Sequence, residues 1–155
     1  MSDKFEFKTY TRDNWEEALK LEVHPEQKIF CPTIAESLAA AYIKPWDEAL
    51  DPYLIYLDDN LIGAFYISYT PESKDNYWLG GFMIDKKYQN KGYGKQALPD
   101  ILKYISSTHP NCKEIKLTVE KDNIIAQKLY KSLGFDDTGE TNKYGEIIYT
   151  LPVTG

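Results

Sequence analysis

Between Tyr53 and Ile84 the chain carries three runs of β-branched and aromatic residues with turn chemistry between them, and this pattern narrows the fold more than any other. Tyr53 to Leu57 and Leu61 to Tyr69 are joined by Asp58, Asp59 and Asn60, residue types that suit a tight hairpin turn. A polar loop, Pro71 to Asn76, leads to the third run, Tyr77 to Ile84, so three neighbouring antiparallel strands are expected. Before them, Phe5 to Tyr10 alternates like an opening strand, and Asp13 stands as a helix cap ahead of Trp15, Ala18 and Leu19. Two prolines within Glu22 to Pro32 break that helix into a loop, and Thr33 caps a second one, Ile34 to Tyr42. After the three strands, Gly92 to Ser107 has Leu98, Ile101, Leu102 and Ile105 at helical spacing, and Pro99 inside it predicts a kink or a restart. Glu114 to Val119 reads as a strand and Asn123 to Leu133 as a helix closed by Gly134. Phe135 to Thr141 and Glu146 to Leu151 form a terminal hairpin around Asn142 to Gly145. The order β α α β β β α β α β β, with no repeat or linker, predicts one mixed α/β domain over residues 1–155.

Composition agrees. In 155 residues, 43% are hydrophobic and 27% charged, enough for a core and unlike a disordered or fibrous chain. Eighteen basic residues against 24 acidic ones give a net charge of -6, which argues against a nucleic-acid binder held by phosphate contacts. No run approaches the ~20 apolar residues of a membrane span, and the opening MSDKFEFK is unlike a signal or transit peptide, so a cytoplasmic protein is expected. Cys31 and Cys112 lie too far apart for a ligand cluster and read as free thiols. His24 and His109 are isolated, there is no HExxH pattern, and no metal site is expected. The acid is unevenly spread: residues 1–60 hold 13 acidic and six basic residues, residues 61–155 hold 11 and 12.

The strongest chemical signal is Gln89-Asn90-Lys91-Gly92-Tyr93-Gly94, between the strand ending at Ile84 and the helix after it. Glycines at such a junction let the backbone approach an anion, and the free amides of a helix start bind phosphate oxygens. Lys86, Lys87, Lys91 and Lys95 add positive charge around the turn. Taken locally, the residues fit either a pyrophosphate cradle or a plain turn with a solvated lysine face. Neither the P-loop spacing nor the three-glycine dinucleotide fingerprint is present.

The turn resembles the acyl-CoA signature Gln/Arg-x-x-Gly-x-Gly/Ala of the GCN5-related N-acetyltransferases, the GNAT family. Asn123-Ile-Ile-Ala126-Gln-Lys-Leu129-Tyr130-Lys-Ser-Leu-Gly134-Phe135 is similar to the family's later Asn-x-x-Ala-x-x-Leu-Tyr-x-x-x-Gly-Phe motif. The element order matches as well, so the resemblance covers nearly the whole chain and implies the GNAT fold, an α+β domain with a mixed, mostly antiparallel central sheet flanked by helices. It implies acceptor-side helices at about 13–42 and an acetyl-CoA-binding core at about 77–135. Phe82, Met83 and Ile84 would then offer backbone groups to the pantetheine arm, and Gln89, Asn90, Lys91, Gly92, Tyr93, Gly94 and Lys95 would cradle the pyrophosphate. Asn123 would hydrogen-bond the arm, and Tyr130 would protonate the departing thiolate. Within the family, Leu21 to Tyr42 and FMIDKKYQNKGYGK look most like bacterial spermine/spermidine and other diamine acetyltransferases.

The residues bear on these roles independently. Asn123 and Tyr130 lie seven apart, and seven residues drift only ~20° around a helix, so both can face one cleft. Ala126, Leu129, Tyr130 and Leu133 also form an apolar stripe, so core packing is the competing reading for Tyr130. An alkylammonium with a reference pKa of ~10.4 must lose a proton before it attacks a thioester, and a carboxylate commonly relays that proton. In several polyamine-acetylating relatives this acid stands on the central strand, where Gly80 and Gly81 stand here. The remaining candidates for binding the acceptor or taking its proton are Glu22, Glu26 and Glu36, with Glu120 beyond the neighbouring strand. The two glycines are expected to widen the cleft floor for a bulkier acceptor. Cys31 has no identifiable partner acid or histidine, which favours direct transfer over an acyl-enzyme. The expected partner is a small-molecule amine, most like a polyamine such as spermidine, whose charge suits the acidic first 60 residues. Other amines, namely an amino acid, an antibiotic or a protein amine, and a non-catalytic acyl-CoA-binding module remain as alternatives, and a homodimer is left open.

Overall fold

A computed structural model describes residues 5–45 and 48–153. Seven strands form one sheet in the order β1-β2-β3-β4-β5-β7-β6. Their spans are β1 Phe5–Lys8, β2 Ala49–Leu57, β3 Asn60–Tyr69, β4 Tyr77–Ile84, β5 Glu114–Val119, β6 Asp136–Thr141 and β7 Ile147–Pro152. The helices are α1 Trp15–Ala18, α2 Ile34–Ile43, α3 Tyr93–Thr108 and α4 Ile124–Ser132. The predicted order of elements holds throughout.

Strand β3 and the Tyr53–Ile55 stretch of β2 are buried on successive residues, because helices cover both faces of the sheet there. Successive residues serve opposite layers: Ile55 joins Phe65, Leu98, Ile101, Ile115 and Tyr149 on the α3/α4 side, whereas Leu54 joins Ala18, Ile34, Ala64 and Met83 on the α1/α2 side. The hairpin between β2 and β3 turns at Asp58 and Asp59, with φ of 48° and 70°, the left-handed pair of a type I′ turn. Thr33 caps α2 in a full capping box: its hydroxyl accepts the Glu36 N–H at 3.1 Å, and the Glu36 carboxylate accepts the Thr33 N–H at 3.0 Å. Gly134, at φ 101°, closes α4: its own N–H reaches the Lys131 carbonyl and that of Phe135 the Tyr130 carbonyl, both at 3.1 Å.

Three local expectations need correction. Asn14, not Asp13, precedes α1, and its side-chain oxygen accepts the Thr11 N–H at 2.8 Å instead of capping the helix. The Glu22–Pro32 stretch is not all loop: Pro25–Phe30 winds into a 3-10 turn, opened by Gln27 Oε1 accepting the His24 N–H at 3.1 Å. Helix α3 does not restart at Pro99. It runs on with the proline on its exposed side, since Ala97 and Leu98 before it and Ile101 and Ile105 after it are all buried against the sheet.

Two irregularities shape the centre of the sheet. Strands β4 and β5 run parallel and pair at a single position, Trp78 with Lys116, so beyond that pair β4 has no partner strand on its β5 side. On the other side, Gly81 and Phe82 together oppose Phe65 of β3. Gly81 has φ 58°, which makes this a bulge that re-aims the β4 backbone towards the opening.

Candidate active site

The opening between β4 and β5 leaves the main chain of residues 80–83 without a strand partner on that side, and a buried backbone group must find some partner. Phe82, Met83 and Ile84 lie here. Met83 and Ile84 bury their side chains in the two opposite core layers, so their backbone is what they can offer. The β4–α3 turn sits at the end of the same opening. Asn90 and Gly92 adopt left-handed φ of 63° and 81°, and Gly92 is the N-cap of α3. The first-turn amides of Tyr93, Gly94 and Lys95 are those a helix start leaves free, with the positive end of the helix dipole behind them. A Cβ at Gly94 would lie 3.6 and 3.7 Å from Ile84 and Phe82, ordinary contact distances, so a methyl group fits there. Gln89 braces the turn from within, its amide donating to the Ile84 carbonyl and to Gln27 Oε1, both at 2.9 Å. The Tyr93 ring meets Phe5 edge-on and belongs to the core. An extended chain with a pyrophosphate end fits this combination of open strand edge and amide cradle.

Four lysines were expected to serve the turn, but Lys86 is held by Glu22 at 2.7 Å. That ion pair belongs to a larger clamp. Asp85, 1% exposed, accepts the Glu22 N–H at 2.9 Å and the Lys87 N–H at 3.2 Å, and the Lys86 N–H reaches the Glu22 carbonyl at 2.8 Å. Asp85 and Gln27 therefore lock the α1–α2 connection to the β4–α3 turn. Neither was singled out from the sequence, because both act through partners about sixty residues away.

Tyr130 projects from α4, half-buried and edge-on to Phe135. Burial first, and Cys31 second, push its phenol up to about 12. Cys31 reaches the same place from the α1–α2 connection, donating from Sγ to the Pro32 carbonyl at 3.4 Å with the Phe82 carbonyl 4.0 Å away. Burial pushes its thiol up to about 11, so it is no ready nucleophile. Asn123 caps α4, its Oδ1 accepting the Ala126 N–H at 3.2 Å, which leaves its amide nitrogen for another acceptor.

The acidic candidates separate clearly. Glu22 is bound to Lys86, which holds its carboxyl below the usual range. Glu36 is committed to the capping box, and those hydrogen bonds lower it too. Glu26 stands exposed on the 3-10 turn. Only Glu120 shifts upwards, through burial first and then through Glu146 and Asp122. Its neighbour Glu146 leads into β7, one step beyond the Val119–Ile147 pair, and is steadied by Asn142 Nδ2 at 2.8 Å. The register of a distant hairpin brings Glu146 there, and no local pattern marked it.

The cleft floor also differs from expectation. A Cβ at Gly80 would meet the Tyr66 ring, with the Tyr66 hydroxyl oxygen 2.6 Å away, and one at Gly81 would lie 2.7 Å from the same ring. The glycines do not widen the floor, because Tyr66 occupies the space. Beside it runs a groove of about 530 Å³ lined by Pro32, Glu36, Ala40, Ile43 and Tyr66 among others. Among the described residues no group of three or more His, Cys, Asp or Glu side chains could hold a metal ion, and no helix is long and apolar enough to cross a membrane.

Residues 13–135 match the family model described as "Acetyltransferase (GNAT) family". The chain is 32% identical over 148 residues to the spermine/spermidine N(1)-acetyltransferase of Bacillus subtilis (strain 168), covering 90% of this chain and 92% of that protein. Its fold is similar to that of the spermidine N-acetyltransferase from Vibrio cholerae in complex with CoA and spermine, at TM-score 0.72 and 18% identity over 96% of this chain and 95% of that one. It is also similar to a GNAT family acetyltransferase from Elizabethkingia anophelis with acetyl-CoA bound, at TM-score 0.65 and 16% identity over 98% and 100% of the two chains. A family match spanning most of the chain, on a sheet opened between β4 and β5 and ending in an amide-lined turn, makes this protein a member of the GNAT family, an acetyl-CoA-dependent N-acetyltransferase.

Proposed function

We propose that the acceptor is a polyamine or diamine such as spermidine, that residues 13–42 form the acceptor side, and that residues 77–135 hold acetyl-CoA. The observation that carries the acceptor is the groove between α2 and Tyr66, apolar along Ala39, Ala40 and Ile43, with Glu36 in its lining and Glu146 near enough to act on the Tyr66 hydroxyl. Methylenes against an apolar wall and ammonium groups near carboxylates are what a polycation needs. The 32% identity to a spermine/spermidine acetyltransferase supports the same reading.

Acetyl-CoA, when bound, supplies an acetyl group activated as a thioester. The backbone of Phe82, Met83 and Ile84 would hold its extended arm, with the Asn123 amide nitrogen as a further donor, and the turn Gln89, Asn90, Lys91, Gly92, Tyr93, Gly94 and Lys95 would hold its phosphates. Glu120 takes the acceptor's proton, directly or through a water, because it alone among the four glutamate candidates is shifted towards proton uptake. Tyr130 keeps its proton at neutral pH and donates it at Oη. A phenol at about 12 would be a poor acid towards an ordinary thiol near ~8.5, but the surroundings change both groups. The burial that raises the phenol would raise a thiolate beside it in the same direction, which lets the proton pass between them.

Thiol release measured with spermidine, an amino acid, an aminoglycoside and a peptide amine tests the acceptor, with Glu120→Gln run beside the parent. Spermidine should give the highest kcat/KM. The acidic limb of the pH profile should lie above the ordinary glutamate value of 4.5 and disappear in Glu120→Gln. A higher kcat/KM for any other amine would overturn the polyamine assignment, and an unchanged limb would remove Glu120 as the base.

A further inference from the structure

We propose that Tyr66 is the acceptor-specificity residue of this enzyme: its ring fills the volume above Gly80 and Gly81 and forms the wall against which the acceptor's amine end lies. The inference rests on the reading that the α2 groove takes the acceptor, and it does not depend on that acceptor being a polyamine.

The geometry is reciprocal. Tyr66 and Gly80 are directly paired across β3 and β4, so their side-chain positions share one face of the sheet. A Cβ on Gly80 would strike the hydroxyl end of the ring, 2.6 Å from Oη, and one on Gly81 would strike its side, 2.7 and 2.8 Å from Cδ2 and Cε2. The ring therefore lies across β4 at the bulge that opens the strand towards β5. From α2, Ser37 closes on the same spot, 3.4 Å from a Cβ at Gly81. The groove beside the ring is the one lined by Glu36, Ala40 and Ile43. The Cys31 thiol and the Glu146 carboxylate both lie near enough to the Tyr66 hydroxyl to act on it electrostatically.

A carboxylate at this position on β4 could both hold an ammonium and take its proton. Tyr66 divides those tasks. Burial, before any charge, raises its phenol, so at neutral pH it stays neutral and takes no proton from an amine. What it offers is a π face for a cation and an oxygen that accepts one hydrogen bond. The proton then has to leave by another group, which is the place left for Glu120.

Tyr66→Leu and Tyr66→Phe, each alone and combined with Gly80→Ala, test this by steady-state kinetics and thermal denaturation, using whichever amine the parent turns over best. Tyr66→Leu should raise the acceptor KM at least about tenfold through loss of the π face and the hydroxyl, while the acetyl-CoA KM moves by less than about twofold. Tyr66→Phe should raise it by about threefold. Gly80→Ala should lower the melting midpoint with Tyr66 present and much less in the Tyr66→Leu background, where the shorter side chain lacks the ring atoms that clash. An acceptor KM within about twofold of the parent in folded Tyr66→Leu would overturn the proposal, as would Gly80→Ala being equally costly in both backgrounds. Should Tyr66→Leu not fold, an unchanged acceptor KM in Tyr66→Phe overturns it. A parent that prefers an amine other than spermidine would count against the polyamine acceptor alone, and Tyr66 would then be measured on that amine.

Discussion

Single side chains here are governed by how much water each has lost. Tyr130 and Cys31 are both raised chiefly by burial, which turns one into a proton holder and the other into an inert thiol. Tyr130→Phe keeps the ring against Phe135 and removes only the proton. Turnover should fall by about a hundredfold, while the acetyl-CoA KM stays within about twofold, as steady-state kinetics would show. A rate equal to that of the parent would leave Tyr130 with packing alone. The proposed role comes only from the motif around it, since Ala126, Leu129 and Leu133 make the same stripe that any packed helix shows. Glu22 and Glu36 show the opposite limit. Residue type made them candidates for taking a proton; Lys86, far along the chain, holds the first carboxylate ionised, and the capping box with Thr33 does the same for the second while leaving it in the groove lining.

At the scale of elements, the β4–α3 junction depends on backbone conformation more than on space. Gly92 has no atom nearer to a would-be Cβ than Gln96 Nε2 at 3.5 Å, yet its φ of 81° strains any L side chain. Gly94 is the reverse, with ordinary φ and contacts that admit a methyl group. Gly92→Asp should weaken acetyl-CoA binding at least about tenfold by calorimetry, through strain in the turn and a negative charge at a helix start that favours anions as ligands. Gly94→Ala should stay within about threefold, since nothing needs to move. Equal losses in the two variants would show that the cradle needs small residues and not a left-handed turn. Turns and caps of this kind were readable in advance at Asp58–Asp59, Thr33 and Gly134, where the chemistry is local. Asp13 misled because a neighbour outweighed it, Asn14 holding Thr11, and of the two outcomes expected at Pro99 four buried residues exclude the restart by keeping α3 one helix on both sides of the proline.

Across the whole molecule, α3 is pinned at its far end by His109, whose ring lies 4.4 Å from that of Tyr69 and 5.5 Å from that of Tyr77, with Nε2 buried and, among the described residues, without a partner. Burial lowers its pKa from the usual 6.5, and Asp51 opposes this only in part. A depressed pKa means that the unfolded chain binds the proton more readily. The stabilisation is fully present above 6.5 and is lost as pH falls through the folded value. Urea midpoints should therefore drop between about pH 7.5 and about pH 5.5 in the parent, and drop less in His109→Phe, which keeps a ring and removes the titrating nitrogens. Equal drops in both would assign the acid sensitivity to other groups.

What the sequence determined by itself was most of what neighbours along the chain set: the period of the strands and main helices, the β2–β3 turn and the Gly134 stop, the order of eleven elements and the two motifs that resemble the GNAT pattern. Tertiary structure decided what depends on register. The single Trp78–Lys116 pair opens the sheet, the Gly81 bulge re-aims β4, Tyr66 covers the glycines that looked like empty floor, and the β5–β7 register sets Glu146 beside Glu120. The alternation of Ile115, Leu117 and Val119 sets which face of β5 is buried, but which residues of another strand lie opposite each position is a long-range matter that no local pattern carries.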